Sequence, residues 1–599
     1  MCGIAGKLSS YLINDNNQAI LESLAHRGPD AQSLWSEEGI TLFHSRLSII
    51  DPNERSNQPM IDYSGRYVLV FNGEIYNYRQ LKNQLDYPWK TSSDSEVLLA
   101  WLIKYGTSKL DFLEGMFAFA FYDREQKSFI LGRDRFGKKP LYIHEKEGRL
   151  SFASEIRVIL EMHPEIRYTS YQQISNWLYW QTIPDNQTLL PEIKQLAPGS
   201  FLIFREGKTE QAEFSNWQNA EKNETEIRNE DIIQRLQSLV RSSVLKRLVS
   251  DVPFAAFLSG GVDSSIITAI ASQELNNKLN TFTVSFDEEH FSEHKIAAEV
   301  AKRYNTNHHE LRLKPIDFLT EIEIGLAATD HPSGDGLNTY VVSKYTRKAG
   351  FKMALSGIGG DEWFLGYDYF RTLDKWKKRK LFGRLKMFSG FFPFPYRKAI
   401  ELSDVSNSLG AGAYAYQRML FDRTTISSLL GLPEVNILPT NPIFPDTMSA
   451  RSIQEWKYYT QPVLLRDTDQ FSMAVGLELR APFMDQDLVD FALSLSDSQK
   501  LGTRSKFLLI EAFKDMLPES VYNRPKQGFT LPWNDWMKAD LQSFCFARIK
   551  NFEQRLDQKK IIPEWQKFVK GKSEIGWSRW WSLITLEHYL QSNKLLIKY

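Results

Sequence analysis

Midway along the chain the run Leu258, Ser259, Gly260, Gly261, Val262, Asp263, Ser264, Ser265 follows the apolar stretch FAAF and precedes a helical pattern. Two glycines let backbone N–H groups approach an anion closely. Three serine hydroxyls add donors at a helix N-terminus, where the helix dipole favours negative charge. The run reads as a phosphate cradle. It lacks the lysine and the spacing of GxxxxGK[ST], so it does not suggest γ-phosphate transfer. A second glycine-rich cluster, SGIGGDEWFLGY at 356–367, also follows an apolar run and offers Asp361 and Glu362. Hard carboxylates of this kind suit the Mg2+ that accompanies a triphosphate.

A different chemistry is set out near the beginning. Removal of Met1, expected before a small residue, would leave Cys2 with an α-amino group of pKa about 8, able to act as base for its own thiol. Arg46 suits a bidentate grip on a carboxylate, and Glu74 and Asp94 suit an ammonium. The side-chain amide of Asn72 and the backbone N–H of Gly73 can then donate to an oxyanion developing at the scissile amide.

Each of these residues is weak alone, but the segments around them recur together. MCGIAG, LAHRGPD (24–30), HSRLSIID (44–51), VFNGEIYNY (70–78), SDSE (93–96), LEGMFAFAFYD and GRDRFGKKPLYI occur in that order. Together they resemble the class II glutamine amidotransferase domain, and the resemblance implies that Arg46 grips the α-carboxylate of glutamine while Glu74 and Asp94 hold its ammonium. The cradle resembles the pyrophosphate loop of ATP pyrophosphatases, which split ATP between its α and β phosphates to adenylate a substrate. That resemblance implies Asp263 and Asp361 as metal ligands, and Leu258, Val284, Ser356 and Gly357 as the lining of the adenosine site.

Both parts in this order, with RDTDQFSMAVGLELRAPFMD (466–485) and YNRPKQGF (522–529) further on, resemble the glutamine-hydrolysing asparagine synthetase family over nearly the whole chain. In that family aspartate attacks the α-phosphorus of ATP, pyrophosphate leaves, and ammonia from glutamine displaces AMP. Lys526 matches the family's lysine in this last segment, where a compact cation can neutralise charge on the phosphate oxygens. Ile358 departs from the pattern, because the better-known bacterial members carry a glutamate at that slot. Glu362 or Asp335 would then have to supply the acid, or the acceptor is another carboxylate such as a sugar acid or peptide acid. A scaffold or simple glutaminase is disfavoured by the intact loops.

These residues need rigid elements to hold them. Residues 1–205 alternate short apolar runs with turn signals, which predicts strands. In GMFAFAFYD both faces are apolar, so the sheet should be covered on both sides. A layered α+β domain of the αββα, N-terminal nucleophile type is expected. A polar linker at 206–230 separates it from 231–540, where strand, turn and helix alternate as in an open parallel sheet with ligands at the strand carboxyl ends. Residues 541–599 form a helical extension whose WSRWWSLITLEHYLQS stripe should pack on the synthetase domain.

Composition agrees with a soluble enzyme of two to four domains. The chain has 599 residues, and 73 basic side chains balance 73 acidic ones, so no global field gathers nucleic acid or membrane. The basic run KWKKRKLFGRLK at 375–386 is read as a solvated helix face. Only two cysteines occur, which points to a reducing compartment and a cytoplasmic location. No stretch approaches the ~20 apolar residues of a membrane span. The expected partners are glutamine, ATP as co-substrate with Mg2+ and a carboxylate, aspartate first. No organic prosthetic group is expected, and a homodimer is compatible with the sequence.

Overall fold

The structure is a computed structural model, and it describes residues 2–8, 16–215, 229–288, 293–334, 336–377, 394–438, 444–524, 531–552, 556 and 558–598. Lys526, Asp335, most of the polar linker and residues 378–386 of the basic run lie outside the described residues.

The first two hundred residues build two six-stranded antiparallel sheets. One is ordered Lys194–Gln195, Tyr142–Lys146, Arg149–Ala153, Gly3–Leu8, Ile40–Arg46, Ala31–Glu37. The other runs Lys208–Glu213, Ser200–Arg205, Ser128–Arg133, Gly115–Asp123, Tyr67–Ile75, Met60–Ile61. Ile4, Leu42 and Phe152 of the first sheet meet Val70, Ala118 and Leu131 of the second in one apolar layer. Helices Asn17–Leu24 and Ile156–Met162 cover the outer face of the first sheet, and helix Asp94–Tyr105 covers that of the second. Layering is therefore αββα, and the strand Gly115–Asp123 is buried on both faces as its composition predicts.

A five-stranded parallel sheet follows, in the order Asn307–Arg312, Asn280–Ser285, Phe254–Phe257, Met353–Leu355, Glu478–Arg480. The strands Phe254–Phe257 and Met353–Leu355 are short and entirely apolar, as expected when helices cover both faces. Helix Val262–Glu274 leaves the strand Phe254–Phe257 through the glycine-rich turn, so the cradle stands at a strand carboxyl end. Helices dominate beyond Gly360. In the helix Trp577–Ser592, Trp580 and Trp581 are buried, and Trp581 stacks on Trp533 with ring centroids 4.3 Å apart. The strand Leu596–Lys598 then pairs in parallel with Tyr168–Ser170, so this extension also touches the first part of the chain, a contact the apolar stripe did not signal.

Candidate active sites

Cys2 stands just before the strand Gly3–Leu8, at the seam between the two parts. Its backbone N–H donates to Asn72 Oδ1 at 3.0 Å. Burial pushes its thiol up, against a hydrogen bond from the Leu47 N–H and the nearby charge of Arg46, which pull it down. Asn72 and Glu74 are two residues apart on one strand, so their side chains share a face. Asn72 Nδ2 and Glu74 Oε2 are both buried with no hydrogen-bond partner. Unsatisfied polar atoms of this kind are costly and mark a place where a ligand completes the bonding.

Gly73 lies between them with φ +156°, and a Cβ there would stand 2.1 Å from Met116 O. Alternate N–H groups of an antiparallel strand point the same way. Phe71 N–H donates to Gln58 Oε1 at 2.6 Å and Ile75 N–H to Asp94 Oδ2 at 2.9 Å. The Gly73 N–H therefore points to the same side as those two, away from the strand Gly115–Asp123. Asp94 begins a helix, and burial, opposed by the Ile75 N–H and by Arg480, pushes its carboxyl up to about 6.

Arg46 is held by the loop that follows its strand. Its terminal N–H groups donate to Asn53 O at 2.7 Å, Asn57 Oδ1 at 2.9 Å, Ile50 O at 3.3 Å and Asp51 O at 2.6 Å. The guanidinium thus shapes the 50–57 loop, while its charge acts on Cys2. Glu74 faces Arg480, whose Nη2 lies 3.2 Å from Glu74 Oε1.

The second site is a cavity of about 520 Å³ at the carboxyl ends of the parallel strands. Leu258, Ser259, Gly261, Asp263, Ser264, Val284, Ser356, Gly357 and Asp361 all line it, whereas Gly260 and Ser265 do not. Gly260 instead supplies the turn at φ +80°, and the Ser265 N–H donates to Gly261 O at 3.1 Å. Within the loop Ser259 Oγ and Ser264 Oγ are 3.1 Å apart.

Asp263 and Asp361 converge on a single point, which Lys506 Nζ occupies: it is bonded to Asp263 and stands 2.7 Å from Asp361 Oδ1. Two hard carboxylates beside a phosphate cradle fit the way Mg2+ binds, through one or two carboxylates plus phosphates. Backbone room is tight there. A Cβ at Gly360 would lie 2.2 Å from Asp263 Oδ1, and one at Gly366 would lie 1.9 Å from Asp361 Oδ1.

Ile358 lines this cavity beside Tyr367, Tyr459, Leu464 and Leu479. Glu362 reaches the same wall, but Oε2 accepts the Gly359 N–H at 3.0 Å and Oε1 accepts the Tyr367 hydroxyl at 2.9 Å. Burial, with Asp361 and Glu455 next, pushes the Glu362 carboxyl up to about 7. Tyr367 and Tyr459 in turn flank Arg418, whose guanidinium carbon lies 4.6 and 3.9 Å from their ring centroids. Tyr459 belongs to a π-helical stretch, Trp456–Leu465, a rare form that is frequent at functional sites.

Lys506, Arg480, Tyr367 and Tyr459 were not singled out from the sequence. No glycine-rich motif surrounds Lys506, and the other three are ordinary residues of a strand, a turn and a helix.

The asparagine synthase profile matches residues 235–591, and that of the glutamine amidotransferase domain matches residues 1–215. The chain belongs to the asparagine synthase family. Members are ligases that use ATP as co-substrate, and in this chain the ligase is joined to a glutamine amidotransferase domain. Among similar family proteins, "Asparagine synthetase [glutamine-hydrolyzing] 1" of Bacillus subtilis (strain 168) is 31% identical over 575 residues, 91% of this chain and 89% of that protein. "Asparagine synthetase B [glutamine-hydrolyzing]" of Escherichia coli (strain K12) is 28% identical over 571 residues, 90% of this chain and 84% of that protein. "Amidase chry2" of Gibberella zeae is 27% identical over 611 residues, 90% of each chain. Among the described residues no helix is long and apolar enough to cross a membrane.

Proposed function

We propose that the chain moves the amide nitrogen of glutamine onto a carboxylate activated as an acyl-adenylate, with L-aspartate as acceptor and asparagine, glutamate, AMP and pyrophosphate as products. The observation that carries this reading is the convergence of Asp263 and Asp361 at the mouth of the Ser259–Ser264 cradle. It is joined to an N-terminal cysteine flanked by an unsatisfied amide.

At the first site the Cys2 α-amine, freed when Met1 is removed, takes the thiol proton, because burial keeps the thiol from ionising by itself. Sulfur then attacks the glutamine carboxamide. Asn72 Nδ2 and the Gly73 N–H receive the oxyanion, the α-ammonium returns its proton to the amide nitrogen as the C–N bond breaks and ammonia departs, and water releases glutamate from the thioester. Glu74 and Asp94 hold the ammonium of glutamine.

At the second site Asp263 and Asp361 would hold a magnesium ion, which neutralises phosphate charge when bound. The cradle amides and serine hydroxyls orient the phosphates, while Lys506 and Lys526 offset the charge that builds as pyrophosphate leaves. Incubation with glutamine, ATP, Mg2+ and aspartate should yield asparagine in step with AMP. Release of ADP and phosphate would exclude adenylation.

One observation favours a second acceptor. Ile358 and the two tyrosines put an apolar and aromatic wall where a carboxylate would grip an α-ammonium, and both Glu362 oxygens already accept bonds. That wall suits a sugar acid or peptide acid, and faster pyrophosphate release with such an acid than with aspartate would establish it.

A further inference from the structure

Arg27 has no exposed surface, and its N–H groups go to three partners. Nε donates to Cys2 O at 3.2 Å, Nη1 to Glu155 Oε1 at 2.9 Å and Nη2 to Asp469 Oδ2 at 2.7 Å. The first two partners belong to the amidotransferase part. Asp469 belongs to the ligase, in the helix Arg466–Met473. It is 3% exposed, and its second oxygen accepts Lys139 Nζ at 3.2 Å.

The neighbours of Asp469 in that helix, Asp467 and Thr468, line the ATP cavity. A single helical turn therefore has one side chain on the residue that holds the Cys2 carbonyl and the next on the pocket where the acceptor would be activated. The other end is closely packed as well: a Cβ at Gly3 would lie 2.8 Å from Leu24 Cδ2 and 3.4 Å from Arg27 Cβ. Charge-assisted hydrogen bonds between buried groups are short and strong, so the position of Arg27 is tied to that of Asp469.

We propose that Asp469 is a positioning residue for glutamine hydrolysis: the ligase supplies the carboxylate that holds Arg27, and through it Cys2, in register, so that what fills the pocket beside Thr468 changes the rate at Cys2. This rests on the reading of Cys2 as the nucleophile. No bond is made or broken by Asp469 itself. Its neutral isostere keeps the volume but loses the charge that pairs with Arg27 and Lys139.

The test uses the full chain with Asp469→Asn, Asp469→Glu and Asp490→Asn. The last removes a seam pair, Arg135 Nη1 to Asp490 Oδ2 at 3.1 Å, that does not involve Cys2. Glutamine-dependent and ammonia-dependent product formation are measured side by side, with kcat and KM for glutamine resolved, and glutamate release is followed with and without ATP and Mg2+. Misplacement of a reacting group by about 1 Å can cost about 10²-fold, so Asp469→Asn should lose about that factor in glutamine kcat/KM. It should also lose the response of glutamate release to ATP, yet stay near wild type with ammonia. Asp469→Glu should recover part of the loss, and Asp490→Asn should show none. A parallel fall in both activities, or an unchanged ATP response in Asp469→Asn, overturns the proposal. If Cys2→Ala hydrolyses glutamine as well as wild type, the nucleophile reading falls and this proposal with it. A working Cys2 with an indifferent Asp469 sinks the proposal alone.

Discussion

Arg480 reaches across the seam to Glu74, Nη2 to Oε1 at 3.2 Å, while its Nε donates to Glu478 at 2.5 Å. A ligase strand thus supplies the cation that compensates an acid of the proposed glutamine site. Replacing Arg480 with methionine would strand two buried carboxylates, and breaking a buried pair by removing one partner typically costs about 3–5 kcal/mol. The urea midpoint should fall accordingly. An unchanged midpoint would show that neither carboxylate depends on Arg480 for its burial.

Asn72→Ala removes one of the two proposed oxyanion donors, a loss that typically costs about 10²–10³ in kcat. Glutamate release should drop by that factor while ammonia-dependent synthesis persists. Equal loss of both activities in a folded variant would refute the oxyanion role.

Acidity should separate the two half-reactions. Burial holds the Asp94 carboxyl up to about 6, and only its ionised form attracts an ammonium. Glutamine kcat/KM should therefore rise with pH through about 6 in the free enzyme, and Asp94→Asn should remove that limb. Stability runs the other way. A carboxyl whose folded value is raised binds more protons folded than unfolded between its ordinary value and about 6, so its contribution declines as pH rises across that window. A glutamine profile flat from pH 5 to 7 would dismiss Asp94 as the ammonium partner.

Gly360→Ala puts a methyl 2.2 Å from Asp263 Oδ1 by ideal geometry, which displaces the carboxylate from the point it shares with Asp361. Adenylation should be lost and glutaminase activity spared. Pyrophosphate release at the wild-type rate would show that Asp263 holds no part of the nucleotide site.

Ile358→Glu restores an acid at the pocket wall. If the wild-type acceptor is a sugar acid or peptide acid, the variant should lose activity on it and gain on aspartate. If aspartate is the native acceptor, its KM should change by less than about tenfold, about 1.4 kcal/mol. Pyrophosphate release with each acid reads both outcomes.

Much of this architecture can be read before folding is considered. The alternation in GMFAFAFYD foretells a strand covered on both sides, and a cradle of glycine and serine announces itself because phosphate binding depends on neighbouring backbone N–H groups. Other residues act through partners remote in sequence. Asp469 meets Arg27 across 442 positions, and Lys506 meets Asp263 across 243, separations that no local pattern encodes. Arg46 shows another limit of sequence: its residue type suits a carboxylate, and only the path of the 50–57 loop shows which carbonyls its guanidinium also meets.

The seam also bears on how such enzymes can be recombined. Asp330 accepts the N–H groups of Ile156 at 2.7 Å and Arg157 at 2.9 Å, and so caps a helix belonging to the other part of the chain. With Asp469 on Arg27 and Arg480 on Glu74, each part buries charges whose counterions are encoded hundreds of residues away. A chimera that grafts one relative's amidotransferase part onto another's ligase keeps these buried pairs only where positions 27, 74, 330, 469 and 480 carry matching residues, so electrostatic fit across the seam decides which halves can be exchanged.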